Sequence, residues 1–264
     1  MILSLVVLGR VFQEERLTAA TIKEQQDAEK EVVARAALRF VKSGMKVGLG
    51  SGSTSHRFIQ LLGERVRRGE VRVEAVATSK QSDALAREVG IPMTEVRRGL
   101  RLDLAVDGAD EIGPGLALIK GGGGALLREK VVAAAANYFL VIVDSSKLVK
   151  QLGKFPLPLE VVPFAMPWVM DRVESLDARV TQRMDRGSER PYLTDQQNCI
   201  LDCQFRAIEQ PAQLASKLEQ VPGIVEHGLF IGYAQAALIA RGTGVSVLRQ
   251  DGTSKPITDS DELP

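Results

Sequence analysis

The sequence predicts an α/β fold: a Rossmann-like, mostly parallel sheet with helices on both faces, joined to a smaller α+β domain. Three observations predict it. Short apolar runs alternate with segments of helical period from Thr21 to about Ser146, as in strand–helix–strand units. Small or acidic residues follow the carboxyl ends of several of those runs. Beyond Lys154 the pattern changes, and "KFPLPLEVVPFAMPW" carries four of the eleven prolines, which suits a crossover and edge strands.

The elements follow in order. "IKEQQDAEKEVVARAALRFV" is rich in helix formers, with Val32, Val33, Ala36, Ala37 and Phe40 near helical period, and Ser43-Gly44 stops it. "MKVGLG" reads as a buried strand. "STSHRFIQLLGERVRRG" is a helix with Phe58, Ile59, Leu62 and Val66 on one side. "VRVEAVAT" is the next strand and "SKQSDALAREVG" the next helix, closed by Gly90. "LRLDLAVDGAD" ends a third strand in acid, "GALLREKVVAAAANY" is a helix, and "FLVIVDSS" a fourth strand. In the smaller unit a helix is expected near Trp168 to Leu176, strands in "ARVTQRM" and "PYLTDQQNCILDCQF", and a helix in "PAQLASKLEQV". "GIVEHGLF" and "AQAALIARGTGVSVL" are expected to return to the main sheet, and the tail from Arg249 to fray. The expected domains are therefore 21–153 with 227–250, and 154–226. Residues 1–20 and 251–264 read as variable extensions, or, for the first, as the product of an initiation codon placed too early.

Composition narrows the function. With 45% hydrophobic and 25% charged residues the chain is an ordinary core-forming protein. A net charge of +1 disfavours nucleic-acid binding through a broad cationic face, while leaving room for a local basic patch. "MILSLVVLGR" lacks the basic flank of a secretory signal and falls well short of the roughly 20 apolar residues of a membrane span. Cys199 and Cys203 fit neither a redox pair nor a zinc ribbon and read as reduced thiols of a cytoplasmic chain. His56 and His227 are the only histidines, so no histidine-rich metal site is expected.

Three segments carry chemistry, each at the end of a strand, where ligands gather in open parallel sheets. In "VGLGSGSTS", Gly48, Gly50 and Gly52 would let the turn approach a ligand. Ser51, Ser53 and Thr54 supply hydroxyls beside the open N–H groups of a helix start, a phosphate cradle. A dinucleotide fingerprint fails because Ser53 stands where its last glycine belongs; a nucleotide P-loop fails because its lysine is absent. In "DGADEIGPGLALIKGGGGALLREK", Asp107, Asp110, Lys120 and Glu129 surround four consecutive glycines. Turn caps would explain Asp110 and Glu111, but not a glycine quartet that costs backbone entropy. Carboxylates flanking a lysine at a glycine-lined surface suit proton transfer beside a carbonyl, with the lysine holding the oxyanion. In "VDSSKLV", Lys147 follows Asp144 and could reach a phosphate.

Together "GLGSGST", "DGADEI", "KGGGGALLREK", "DSSKLV", "GKFPLPLEV" and "PGIVEHGLF" resemble the ribose-5-phosphate isomerase A family, in order from about Glu29 to about Val247. The resemblance implies an aldose–ketose isomerase that interconverts D-ribose 5-phosphate and D-ribulose 5-phosphate in the non-oxidative pentose phosphate pathway. It implies no cofactor or metal, a small-molecule partner only, and a homodimer. It further implies Glu129 as base, Asp107 and Asp110 as substrate-binding aspartates with Asp107 assisting ring opening, and Lys120 and Lys147 as substrate lysines. Ser51, Gly52, Ser53, Thr54, Gly108, Ala109, Gly121, Gly122 and Gly123 would line the substrate, with Lys30 near the phosphate. Ser51 stands where the family usually has Thr, and Gln196-Gln197 where it tends to have Asn-Gly. The rival readings are a coenzyme A transferase, with a glutamate nucleophile, and a sugar-phosphate sensor. The shortness of the chain and the phosphate-type loop disfavour the first; the few residues before Lys30 leave no room for a DNA-reading motif.

Overall fold

The computed structural model describes residues 21–258. Along the chain run α1 (21–37), β1 (Lys46–Leu49), α2 (Ser53–Arg67), β2 (Glu74–Ala77), α3 (Lys80–Glu88) and β3 (Leu104–Asp107). Next come β4 (Glu111–Ile112), β5 (Leu118–Ile119), α4 (Leu126–Ala135), β6 (Phe139–Asp144), β7 (Leu157–Val161), α5 (Met166–Glu174) and β8 (Arg179–Gln182). The chain closes with β9 (Cys199–Gln204), α6 (Pro211–Glu219), β10 (Ile224–His227), β11 (Leu229–Phe230), β12 (Ala236–Arg241), β13 (Gly244–Arg249) and β14 (Ser254–Pro256).

The main sheet has seven strands in the order β14-β13-β12-β6-β3-β1-β2. Its five strands from β12 to β2 are parallel, whereas β13 pairs antiparallel with both β12 and the edge strand β14. Alternation along the central strands divides the core. Val47, Leu49, Leu104, Val106, Leu140 and Ile142 face α1 and α2. Ala105, Phe139, Val141 and Val143 face the opposite way and pack with Val132 and Ala133 of α4. Both faces are therefore covered, which is why these strands read as unbroken apolar runs.

A second sheet, β10-β7-β9-β8, is wholly antiparallel and encloses its own core with Val169 and Val173 of α5 and Leu218 of α6. A third, β11-β5-β4, is a short antiparallel ribbon beside it.

Two expectations are corrected here. "GIVEHGLF" does not rejoin the main sheet: β10 pairs with β7, and β11 pairs with β5. The tail does not simply fray, because Ser254–Pro256 adds an exposed edge strand to β13. The predicted extension 1–20 lies outside the described residues, as do residues 259–264.

Sheet order fixes the site. The chain leaves β1 to one side for β2 and then crosses to the other side for β3, so a crevice opens between β1 and β3. With β6 next to β3, three adjacent strands deliver "GSGST", "DGAD" and "DSSK" to one edge.

Candidate active site

The loop after β1 is shaped by what lies behind it. A Cβ on Gly50 would stand 2.0 Å from Asp107 Oδ1, and one on Gly48 would stand 2.6 Å from Val132 Cγ1. Neither glycine serves the ligand directly, contrary to the sequence expectation: Gly48 lets α4 settle on the sheet, and Gly50 lets Asp107 stand beneath the loop. Gly52, at φ 89°, is the one that faces the crevice. Gly50→Ala is therefore expected to lose about 3 kcal/mol, since neither backbone nor carboxylate can yield cheaply. Urea unfolding beside the wild type measures it.

Gly52 precedes α2 and no side chain caps that helix, so its first N–H groups stay open. Ser51 points inward instead: its N–H donates to Asp107 Oδ1 at 3.0 Å, and its hydroxyl lies 2.7 Å from that of Thr78.

Asp107 is only 3% exposed and both its oxygens are occupied. Oδ1 accepts from Ser51 N–H, from the Ser55 hydroxyl at 2.9 Å and from Gly108 N–H at 2.7 Å; Oδ2 accepts from Lys120 Nζ at 2.8 Å. Asp107 does not line the crevice. Oδ1 carries three of these four bonds, so Oδ2 keeps a lone pair beside Lys120.

Lys120, 2% exposed, comes off the end of β5, where its N–H bonds to Gly228 O. Besides Asp107 its ammonium donates to Gly108 O at 2.6 Å and lies 3.4 Å from Glu129 Oε2. It also stands over the Phe230 ring, 5.5 Å from the centroid. Burial works against its charge, but the Asp107 and Glu129 carboxylates outweigh that, so Lys120 stays protonated well above the usual lysine range.

Glu129 lies in the first turns of α4, 5% exposed. Its Oε2 finds no hydrogen bond of good geometry, only the ionic contact with Lys120. Burial pushes its pKa up to about 8; Asp107 and Asp110 push the same way, and Lys120 opposes them. Asp110 is partly buried, which raises its pKa too, and its Oδ2 accepts from Gly122 N–H at 2.7 Å.

These parts enclose a cavity of about 160 Å³. Its wall brings together Ser51, Gly52, Ser53, Thr54, Gly108, Ala109, Asp110, Lys120, Gly121, Gly122, Gly123, Glu129 and Lys147 from the sequence expectation, and Lys30 with them. Gln26 and Asp144 were missed as wall residues. The signal for Gln26 was its spacing: four residues before Lys30 it shares that helix face. Glu29 was missed as well. Buried between them, it accepts from Ser145 N–H at 3.0 Å and from Gly242 N–H at 2.9 Å, so it moors α1 to the Lys147 loop. Among the described residues no group of three or more His, Cys, Asp or Glu could hold a metal ion, and no helix is long and apolar enough to cross a membrane.

An open anion cradle at one end of a small cavity, with a raised carboxylate facing a buried ammonium at the other, defines a class. It is that of enzymes that shift a proton between neighbouring carbons of a phosphorylated carbonyl compound. Comparison with known proteins specifies the family. The sequence profile of ribose 5-phosphate isomerase A (phosphoriboisomerase A) matches residues 74–244, and the chain belongs to that family. It is 48% identical over 220 residues to ribose-5-phosphate isomerase A of Sphingopyxis alaskensis, covering 83% of this chain and 95% of that protein. The Methanothermobacter thermautotrophicus enzyme is 46% identical, covering 83% and 97%. Among solved structures, a D-ribose-5-phosphate isomerase in complex with phospho-erythronic acid superposes with a TM-score of 0.83 at 38% identity, covering 85% of this chain and 99% of that one. That of Methanocaldococcus jannaschii gives 0.80 at 39%, covering 84% and 98%.

Proposed function

We propose that this cleft interconverts D-ribose 5-phosphate and D-ribulose 5-phosphate through an enediolate. The observation that carries the reading is Glu129: a carboxylate pushed up to about 8, open to the cavity and 3.4 Å from a buried ammonium. The phosphate sits on the open N–H groups and hydroxyls of Ser53 and Thr54, with Lys30 and Lys147 as counter-charges. Asp110, at the wall, takes the anomeric hydroxyl proton and passes it to the ring oxygen as the C1–O bond breaks, with Asp107 assisting through Oδ2. Glu129 then takes the proton from C2, and the electrons of that bond form the C1–C2 double bond as charge collects on O1. Lys120 and the glycine-loop amides hold that charge. Glu129 returns the proton to C1, while the O2 proton passes by way of Asp110 to O1, leaving a ketone at C2. Asp107 also positions Lys120, whose ammonium donates to its Oδ2 at 2.8 Å.

Family membership supports a place in the non-oxidative pentose phosphate pathway and a homodimeric state, which light scattering tests. The free thiols Cys199 and Cys203 support a reducing cytoplasmic setting. The direct test is formation of ribulose 5-phosphate from ribose 5-phosphate by the purified chain, with and without a chelator. No turnover would overturn the reading.

A pH dependence follows. Glu129 works as a base only when deprotonated, so kcat/KM is expected to fall about tenfold per pH unit below about 8 and to level off above it. A flat profile from pH 6 to 9 would remove Glu129 from the role.

A further inference from the structure

The glycine loop between Lys120 and α4 is held from outside the main sheet. Arg183, just beyond β8 in the smaller unit, donates from one guanidinium nitrogen to Gly121 O at 3.2 Å and to Gly122 O at 3.1 Å. The rest of the fork is anchored on Asp202 of β9, through Nε to Oδ2 at 2.9 Å and through the second terminal nitrogen to Oδ1. Tyr192 stacks near the guanidinium, 5.9 Å from ring centroid to its carbon, and donates its hydroxyl to Gly123 O at 3.2 Å. Tyr192 occupies the space a side chain at position 124 would need, since a Cβ there would stand 2.4 Å from its hydroxyl oxygen.

A trans peptide points its C=O and the following N–H in opposite directions. Fixing Gly121 O on Arg183 therefore turns Gly122 N–H the other way, and it is found on Asp110 Oδ2 at 2.7 Å. Fixing Gly122 O on the same guanidinium turns Gly123 N–H away from it. That N–H meets no acceptor among the described residues, and Gly123 lines the cavity. The Asp202 partnership neutralises the guanidinium, so it holds the loop without drawing the substrate's phosphate away from its cradle.

We propose that Arg183, locked by Asp202 and seconded by Tyr192, is a positioning residue for isomerisation. It aims Gly122 N–H at Asp110 and Gly123 N–H at the enediolate oxygen. The inference rests on the isomerase reading. The loop contacts lie at the reacting end of the cleft, so the cost of losing them falls on the transition state and not on phosphate binding.

The test uses Arg183→Gln, Arg183→Lys and Asp202→Asn beside the wild-type chain. Arg183→Gln is expected to lower kcat about 10- to 100-fold, as misplacement at a reacting centre does. KM and the inhibition constant of inorganic phosphate should stay within about twofold. Phospho-erythronic acid, which adds a carboxylate anion to its phosphate, should lose affinity by a factor similar to that in kcat/KM. Arg183→Lys should recover part of kcat, and Asp202→Asn, at a less buried position, should show the same signature more weakly. Unchanged kcat in both Arg183→Gln and Asp202→Asn would overturn the proposal, as would equal loss of phosphate and phospho-erythronic acid binding. Should Arg183→Gln fail to fold, Asp202→Asn decides by the same criteria. A wild-type chain that binds phosphate but does not isomerise would count against the isomerase reading instead.

Discussion

Glu129→Gln is expected to lower kcat by about 10³- to 10⁴-fold while leaving fold and phosphate affinity close to wild type. The amide keeps the shape of the side chain and cannot accept the C2 proton. It also removes a carboxylate that burial already penalises and that Asp107 and Asp110 repel, so the folded state loses little. Progress curves with enough enzyme to see the residual rate, and a thermal melt, measure the two halves separately. A kcat within tenfold of wild type would transfer the base to another group, with Asp110 the first to examine, since it shares the cavity and also has a raised pKa.

The second large effect belongs to Lys120. In Lys120→Met the chain keeps its length and its contact with the Phe230 ring, but the ammonium is gone from between Asp107 and Glu129. Two costs follow from different states. In the folded state Asp107 Oδ2 and Gly108 O lose their donor inside the protein, and a broken buried pair of this kind costs about 3–5 kcal/mol. In the transition state the enediolate loses its one buried cation, worth about 10²- to 10³-fold in kcat. The remaining negative groups also repel one another more strongly, so the Glu129 pKa should climb and the pH–rate profile should move to higher pH. A denaturant titration and that profile are the readouts. A stable variant with an unmoved profile would mean that Lys120 does not govern Glu129.

Much of this arrangement was legible in the sequence because buried parallel strands leave a coarse mark. "LAVD" and "FLVIVD" are apolar on both faces, and each ends in an acid where the chain reaches the crevice. The glycine quartet was legible as well, since nothing in ordinary packing favours it. The partner of β10 was not: a four-residue strand with mixed burial does not say which of two sheets it will join. Nor was the station of Asp107, because the same carboxylate at a strand end can face solvent or turn beneath a neighbouring loop. Which occurs depends on Gly50 leaving room, 57 positions earlier. Arg183 and Tyr192 were invisible for a related reason. They reach the glycine loop from 62 and 69 residues away, and an isolated arginine in a polar hairpin carries no mark of the carbonyls it will meet.

The dependence of the glycine loop on the antiparallel unit bears on how such a catalyst can be pared down or recombined. A miniature that lacked only the β10-β7-β9-β8 unit would retain every side chain proposed to meet the sugar, yet its reacting edge would lack scaffolding. Grafts between homologues should therefore exchange the β8–β9 hairpin together with the residues after Lys120, as a matched cassette.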